Sequence, residues 1–269
     1  MKYFIVISFL TLLITGCKKS DDHAEDETMA SKELVKRFES SYSNGVKGEV
    51  VYKSDSSIQS ITYTYPDTTI AAEYYYDSGG FLDVIQLNKQ DAGLGFSYES
   101  DRSILGISLR SSPLGSISDG ILSFAYTAEK LVNKCQYFHY NGSLHEKKWT
   151  HTYEYNNEKL VTGIKSVNNK NETIVLTIGN YSSYCNIFPE AFMELLRVGD
   201  LYELYNYAVL KKMNRLPGKI TKTNASGIIE RIVENSFDIT NGRLNKVTVK
   251  NTYPMQPQLN NTYDIKFYY

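Results

Sequence analysis

From Glu49 to the C-terminus, apolar and polar residues alternate in short runs broken by Gly, Asn, Asp and Ser. A period of two predicts strands that bury one face. The runs fall at Glu49–Lys53, Ser60–Tyr65, Ile70–Tyr76, Phe81–Leu87, Leu94–Tyr98, Ile104–Leu109, Ile121–Tyr126, Ile174–Ile178, Ile228–Ile239, Lys246–Lys250 and Tyr263–Tyr269. Short connections make neighbouring strands antiparallel. Between Pro189 and Asn214 the pattern changes: Phe192, Leu195 and Leu196 recur at helical spacing, as do Leu201, Leu204, Tyr205 and Ala208. Pro189 suits a first helical turn and Pro217 stops helical structure before a strand from Lys219. This predicts a small helical insertion near residues 189–214, read as a cap over one sheet face or edge. Ser31–Ser40 reads as another short helix.

A weak repeat runs through the strands. An aromatic, one residue, a Tyr or aliphatic, a polar turn and an apolar residue recur at Tyr74–Phe81, Phe124–Leu131, Tyr153–Leu160 and Phe237–Leu244. The physical reading is strand, tight turn, strand, with Gly and Asn supplying positive φ. Asn141-Gly142 predicts a two-residue hairpin turn pairing Phe138 with His145. Alternation then places His145, Lys147, Trp149, His151, Tyr153 and Tyr155 on one face.

Tyr76-Asp77-Ser78-Gly79-Gly80-Phe81 resembles the tyrosine-aspartate (YD, RHS-type) repeat. Leu216-Pro217-Gly218-Lys219-Ile220 resembles a strand start in Bacteroidetes lipoproteins of unknown function that carry such hairpins. The resemblance implies a mainly β fold: a long antiparallel β-meander, open or curled, with the small helical insertion. It transfers no activity.

The N-terminus has its own pattern. Lys2 is followed by the apolar run Tyr3–Thr15, too short to span a bilayer as a helix, so residues 1–16 read as a signal peptide. Leu13-Ile14-Thr15-Gly16-Cys17 resembles the bacterial lipobox, which implies cleavage before Cys17 and lipid on that residue. Two or more acyl chains give stable anchoring. Residues 17–31, with Asp21, Asp22, Glu25, Asp26 and Glu27, read as an acidic flexible tether. The acidic stretch also resembles the export signal that places Bacteroidetes-type lipoproteins on the outer face of the outer membrane. Residues 32–269 then form a single domain.

Composition narrows the function. The 269 residues carry 29 Lys+Arg against 30 Asp+Glu, a formal net charge of −1, which argues against nucleic acid as a partner. Tyr is in excess at 23 residues, suiting half-wet strands. With Cys17 lipidated, Cys135 and Cys185 remain. A disulfide between them would close a loop of about 50 residues and contribute about 4 kcal/mol. A domain this size does not need the staple, so two separate buried thiols are the preferred reading.

The sequence offers no zinc spacing, phosphate loop or nucleophile elbow, so no cofactor, metal or catalytic residue is assigned. Asp77, Asp83, Glu99 and Asp101 are candidate members of a carboxylate pair, with surface turns the simpler account. The reading is a lipid-anchored, extracytoplasmic, non-catalytic binding module for a glycan or protein ligand. Trp149, Tyr153, Tyr155, Tyr74 and Tyr76 are the candidate ligand-binding aromatics. The alternatives are a structural or interaction subunit of an envelope complex and, behind it, a glycan-acting hydrolase. The membrane, through Cys17, and a glycan or envelope protein are the expected partners.

Overall fold

The computed structural model describes residues 34–42, 45–88, 93–110, 120–140, 142–185, 187–188 and 207–269. Its strands are β1 (Arg37–Ser40), β2 (Val46–Tyr52), β3 (Ile58–Thr64), β4 (Thr69–Tyr76), β5 (Leu82–Leu87), β6 (Gly93–Tyr98), β7 (Ile104–Arg110) and β8 (Gly120–Tyr126). They continue as β9 (Val132–Tyr140), β10 (His145–Tyr155), β11 (Val161–Asn168), β12 (Thr173–Gly179), β13 (Lys219–Thr223), β14 (Ile229–Thr240), β15 (Arg243–Thr252) and β16 (Asn261–Tyr268). Each pairs antiparallel with its sequence neighbours, and β1 pairs with both β2 and β16. The sheet is therefore a closed barrel. This corrects the expectation of an open meander. The closing contact runs from Arg37 opposite Tyr268 to Ser40 opposite Ile265. Closure pairs the backbone groups that two free edges would leave open. It also overturns the helix expected over Ser31–Ser40, because Arg37–Ser40 is the closing strand.

The buried residues of each strand face those of the next. Phe38 lies opposite Phe267, Val50 opposite Ile61, Phe96 opposite Ile107, Ile164 opposite Leu176, Ile220 opposite Val233 and Val247 opposite Ile265. All belong to one hydrophobic cluster, the inner face of the barrel. The opposite face carries Glu49 against Thr62, Ser60 against Glu73, Thr152 against Lys165, Glu234 against Lys250 and Lys246 against Lys266.

Seven connections share one hydrogen-bond pattern: 53–57, 77–81, 99–103, 127–131, 156–160, 168–172 and 224–228. In each, the first N–H donates to the carbonyl four residues on, and the fourth residue's N–H returns to the first carbonyl. That fourth residue has positive φ every time, from 62° at Lys159 to 78° at Gly80. This is a type I turn followed by a left-handed residue, a common three-residue hairpin loop. Asp77, Asn156, Asn168 and Asn224 stabilise their turns by accepting the N–H two and four residues on. In three of the four copies of the sequence repeat, Tyr74–Phe81, Phe124–Leu131 and Tyr153–Leu160, the repeat is thus one of turn geometry, whereas Phe237–Leu244 turns through the two residues Asn241 and Gly242, both at positive φ.

At the end of the barrel where the chain enters β1, tyrosines tie one hairpin to another. Tyr98 donates to the Leu82 carbonyl, Tyr126 to Ile104, Tyr155 to Val132 and Tyr181 to Val161. Tyr52 donates to Val35 and Tyr269 to Leu244. The opposite end is called the far end below.

The segment after β12 enters the interior. The Phe188 ring centre lies 6.0 Å from that of Phe38, although four strands separate β12 from β1 around the barrel. A barrel of sixteen strands is wide enough to take more than its own side chains. Cys185, Leu216 and Ala208–Leu210 join the same cluster. Of the expected helical insertion, the described part is one turn, α1 (Tyr207–Leu210), while residues 189–206 lie outside the described residues. So do the residues read from the sequence as signal peptide and tether, Cys17 among them.

The Asn141-Gly142 hairpin is wider than expected. Tyr140 pairs with His145 and Phe138 with Lys147 in place of the expected His145, and Asn141 itself lies outside the described residues. A bulge between Lys147 and Trp149 then puts Lys147 opposite Phe138 on the outer face and leaves Trp149 in phase with inward His151 and Tyr153. The single aromatic face expected from His145 to Tyr155 is therefore split by one extra residue.

Candidate functional site

The aromatic candidates occupy the wall and its inner face. Tyr74 and Tyr153 are 4% and 6% exposed. Tyr155 is half-buried with its hydroxyl on the Val132 carbonyl. Tyr76 is half-buried, and the Lys53 ammonium sits 4.4 Å from its ring centre. Trp149 is half-buried and stacks on His151, with ring centres 6.2 Å apart and planes within 12°. These five are not gathered into an exposed patch. Tyr75 and Tyr184 are the exposed aromatics among the described residues.

Two of the four carboxylate candidates, Asp77 and Asp101, serve turns, whereas Asp83 lies on strand β5 and Glu99 opens the 99–103 turn through its backbone. Asp77 accepts the N–H groups of Gly79 and Phe81. Asp101 accepts from the Lys130 ammonium and from Ser103 N–H, which holds its carboxyl down to about 2. Cys135, on β9, and Cys185, after β12, are both buried and are not bonded to one another. Cys135 sits opposite His151 on β10, whereas Cys185 donates its N–H to the Asn214 carbonyl. Among the described residues no three His, Cys, Asp or Glu side chains gather to hold a metal.

Inside the barrel the unexpected residues are polar. His151, Ser166, Lys222, Arg231 and Asn251 are all buried on the inner face. His151 Nδ1 and Ser166 Oγ are 2.8 Å apart. That is nucleophile–base distance, but the residues are 1% and 0% exposed, so no carbonyl substrate reaches them. Burial pulls the His151 imidazole down to about 4, leaving it neutral at physiological pH.

The second group sits where β13 to β16 reach the far end. Lys222 lies directly opposite Arg231, 8% and 4% exposed. Arg231 donates through Nε and Nη2 to Asn251 Oδ1, at 3.1 and 2.7 Å. Asn251 Nδ2 donates to Asn261 Oδ1 at 2.7 Å. The Tyr253 ring centre lies 5.4 Å from the guanidinium carbon. Glu230, at the rim, is 3.9 Å from the Lys222 ammonium. Ile220-x-Lys222 and Arg231-x-Val233 carry the signal in the sequence: each charge falls in phase with the buried aliphatic residue. Sequence reasoning, tuned to histidines, carboxylates and aromatics, passed over both.

A third feature is a cleft of about 200 Å³ where β1 closes the barrel, lined by Glu39, Ser40, Lys47, Asp264 and Lys266 among others. Glu39 accepts from the Tyr268 hydroxyl at 3.1 Å, and Asp264 from Thr248 at 2.6 Å. Lys47 and Lys246 lie 3.9 and 4.0 Å from these carboxylates. Exposed pairs of this kind contribute little to stability.

No protein-family model matches the chain, and no curated protein matches it. Among solved structures it is similar to a porin-like protein from Bacteroides uniformis ATCC 8492, with a TM-score of 0.56 and 13% identity over 89% of this chain and 99% of that one. A porin-like protein from Bacteroides vulgatus ATCC 8482 matches with a TM-score of 0.41 and 10% identity, over 87% of this chain and 98% of that one. What the chain shares with the Bacteroides uniformis protein is the fold.

Proposed function

We propose that the chain is a lipid-anchored barrel of the bacterial envelope that stands beside the membrane, held by Cys17, and acts as a non-catalytic binding module for a glycan or protein ligand. The polarity of the two faces carries this reading. A membrane-spanning barrel turns an apolar band about 25 Å tall to lipid and a polar face to its lumen. Here the inner face is aliphatic and aromatic, whereas the outer face carries Glu49, Glu73, Lys165, Glu234 and Lys250. A charge at the midplane of a lipid face costs about 2–4 kcal/mol for Lys or Arg. The segment that brings Phe188 to Phe38 also crosses the space a pore would need. The name of the porin-like neighbours fits an envelope location, with the barrel used as a scaffold instead of a channel.

The anchor would leave from the end of the barrel where the chain enters β1, which turns the far end and its buried basic pair outward. Detergent phase partition tests the reading. The full chain should carry lipid and enter the detergent phase, and Cys17→Ser should enter the aqueous phase still folded. A folded Cys17→Ser barrel that stays in membranes through alkaline carbonate extraction would overturn it.

A further inference from the structure

We propose that the cleft where β1 closes the barrel is a sugar site, which holds one uncharged pyranose ring of a glycan by its hydroxyl groups. This deepens, and rests on, the reading of the chain as a binding module.

The cleft exists because the closing strand is short. β1 has four residues, between β2 with seven and β16 with eight. It stops at Ser40, paired with Val46 and Ile265, whereas β16 extends past that level to Asn261. The step leaves an opening of about 200 Å³ on the far-end side of the seam, away from the end where the anchor would leave. That volume is below the range of about 300–1,000 Å³ that suits drug-sized ligands, and it fits a single ring. Gly45, Val46 and the methylene stems of Lys47 and Lys266 give the lining an apolar part for the C–H groups of such a ring.

The charges of the lining balance, Glu39 and Asp264 against Lys47 and Lys266. Each carboxylate accepts from a neutral hydroxyl through one oxygen, Glu39 from Tyr268 and Asp264 from Thr248. At the other oxygen the cations stand off: Glu39 Oε1 is 3.7 Å from Arg37 Nε and 3.9 Å from Lys47 Nζ, and Asp264 Oδ2 is 4.0 Å from Lys246 Nζ. These distances exceed hydrogen-bond reach, so both oxygens keep acceptor capacity. Lys266 lies across from Glu39 on one side and from Lys246 on the other. Ser41 Oγ accepts the Asp264 N–H, which leaves its own proton to donate. A ligand cation would face carboxylates that already have cations beside them, and a ligand anion would face two carboxylates. A hydroxyl group fits, because it donates to the carboxylate oxygen and accepts from the ammonium at once. Exposed ion pairs at these distances contribute little, so a hydroxyl enters between the partners at small cost.

The test uses the full chain in a polyoxyethylene detergent, whose headgroup is not a sugar, and saturation-transfer NMR titration with the methyl pyranosides of glucose, galactose and mannose. At least one should bind saturably, and its charged counterparts, the uronate and the amino sugar, should bind more weakly. Lys266→Met removes an ammonium that faces Lys246 and keeps the stem, so it should melt no lower than the parent. It should weaken the sugar about tenfold, the loss of one hydrogen bond to a charged group. Glu39→Gln should weaken it similarly. Stronger binding of the uronate or the amino sugar would overturn the assignment to an uncharged ring. Undiminished binding by the folded variants would place the sugar elsewhere, so the site fails and the module reading stands. Binding of none of the three overturns the site and leaves the module with a protein ligand. The anchored-module reading itself fails only if folded Cys17→Ser stays in membranes.

Discussion

The Tyr98 hydroxyl donates to the Leu82 carbonyl at 2.7 Å, tying one hairpin to the strand that follows the previous turn. Tyr126, Tyr155 and Tyr181 repeat the contact with Ile104, Val132 and Val161. Each tyrosine closes its own strand and clamps its predecessor, so a strand-by-strand fold gains a ring of links at one end. Burial raises the Tyr98 phenol to about 12, which keeps it a donor at any physiological pH.

Tyr98→Phe should cost about 1 kcal/mol in urea denaturation, with the ring packing kept and the Leu82 carbonyl left without its donor. Tyr155→Phe should cost a similar amount. The double variant should show the sum, because the two residues serve separate hairpins. A sum far short of additive would show that the ring acts as one unit.

Phe38 and Gly48 form a second coupled pair. The Phe38 ring covers Gly48, and a Cβ there would come within 2.1 Å of the ring. Phe38 is 1% exposed and has nowhere to move. Gly48→Ala should therefore cost about 1–3 kcal/mol. Combining it with Phe38→Leu should cost less than the two single changes together, because the smaller side chain frees the space. Strict additivity in thermal melts would contradict the packing.

His151 makes stability fall in mild acid. Its folded value is pulled down to about 4 by burial, against 6.5 for the exposed side chain. Between these values the unfolded chain holds a proton that the folded chain does not, so stability rises with pH across that window. The slope is about 1.4 kcal/mol per pH unit, lost as the pH falls from about 6.5 toward 4. His151→Gln should flatten this part of the stability profile. An unchanged slope would place the proton elsewhere.

The two buried thiols should be silent in the native protein. Burial pushes the Cys185 thiol up to about 11, and Cys135 is 1% exposed. A thiol reagent should modify neither at pH 8 and both after unfolding without reductant. A requirement for reductant would mean that a disulfide forms in solution.

The strand and turn pattern was legible because it is local. Asp77, Asn156 and Asn224 build their turns from hydrogen bonds spanning at most four residues, and alternation assigns Ile61 and Tyr63 to one face without knowledge of any partner. The β9–β10 register was misread because a bulge near Trp149 inserts a residue that alternation does not reveal. Lys222 and Arg231 were visible as charges in phase with aliphatic neighbours, but their facing one another depends on the β13–β14 register.

Antiparallel β structure, the places where most hairpins turn and the side chains that share a face follow from the order of residues alone, since backbone sterics and side-chain alternation act over a few residues. Closure of the sheet depends on long-range contact. Arg37–Ser40 meets Ile265–Tyr268 across more than two hundred residues, and nothing in a four-residue strand announces its partner. Closure also decided which face became the interior. It turned half-wet tyrosines into links between strands and placed Lys222 and Arg231 opposite one another on the inner face.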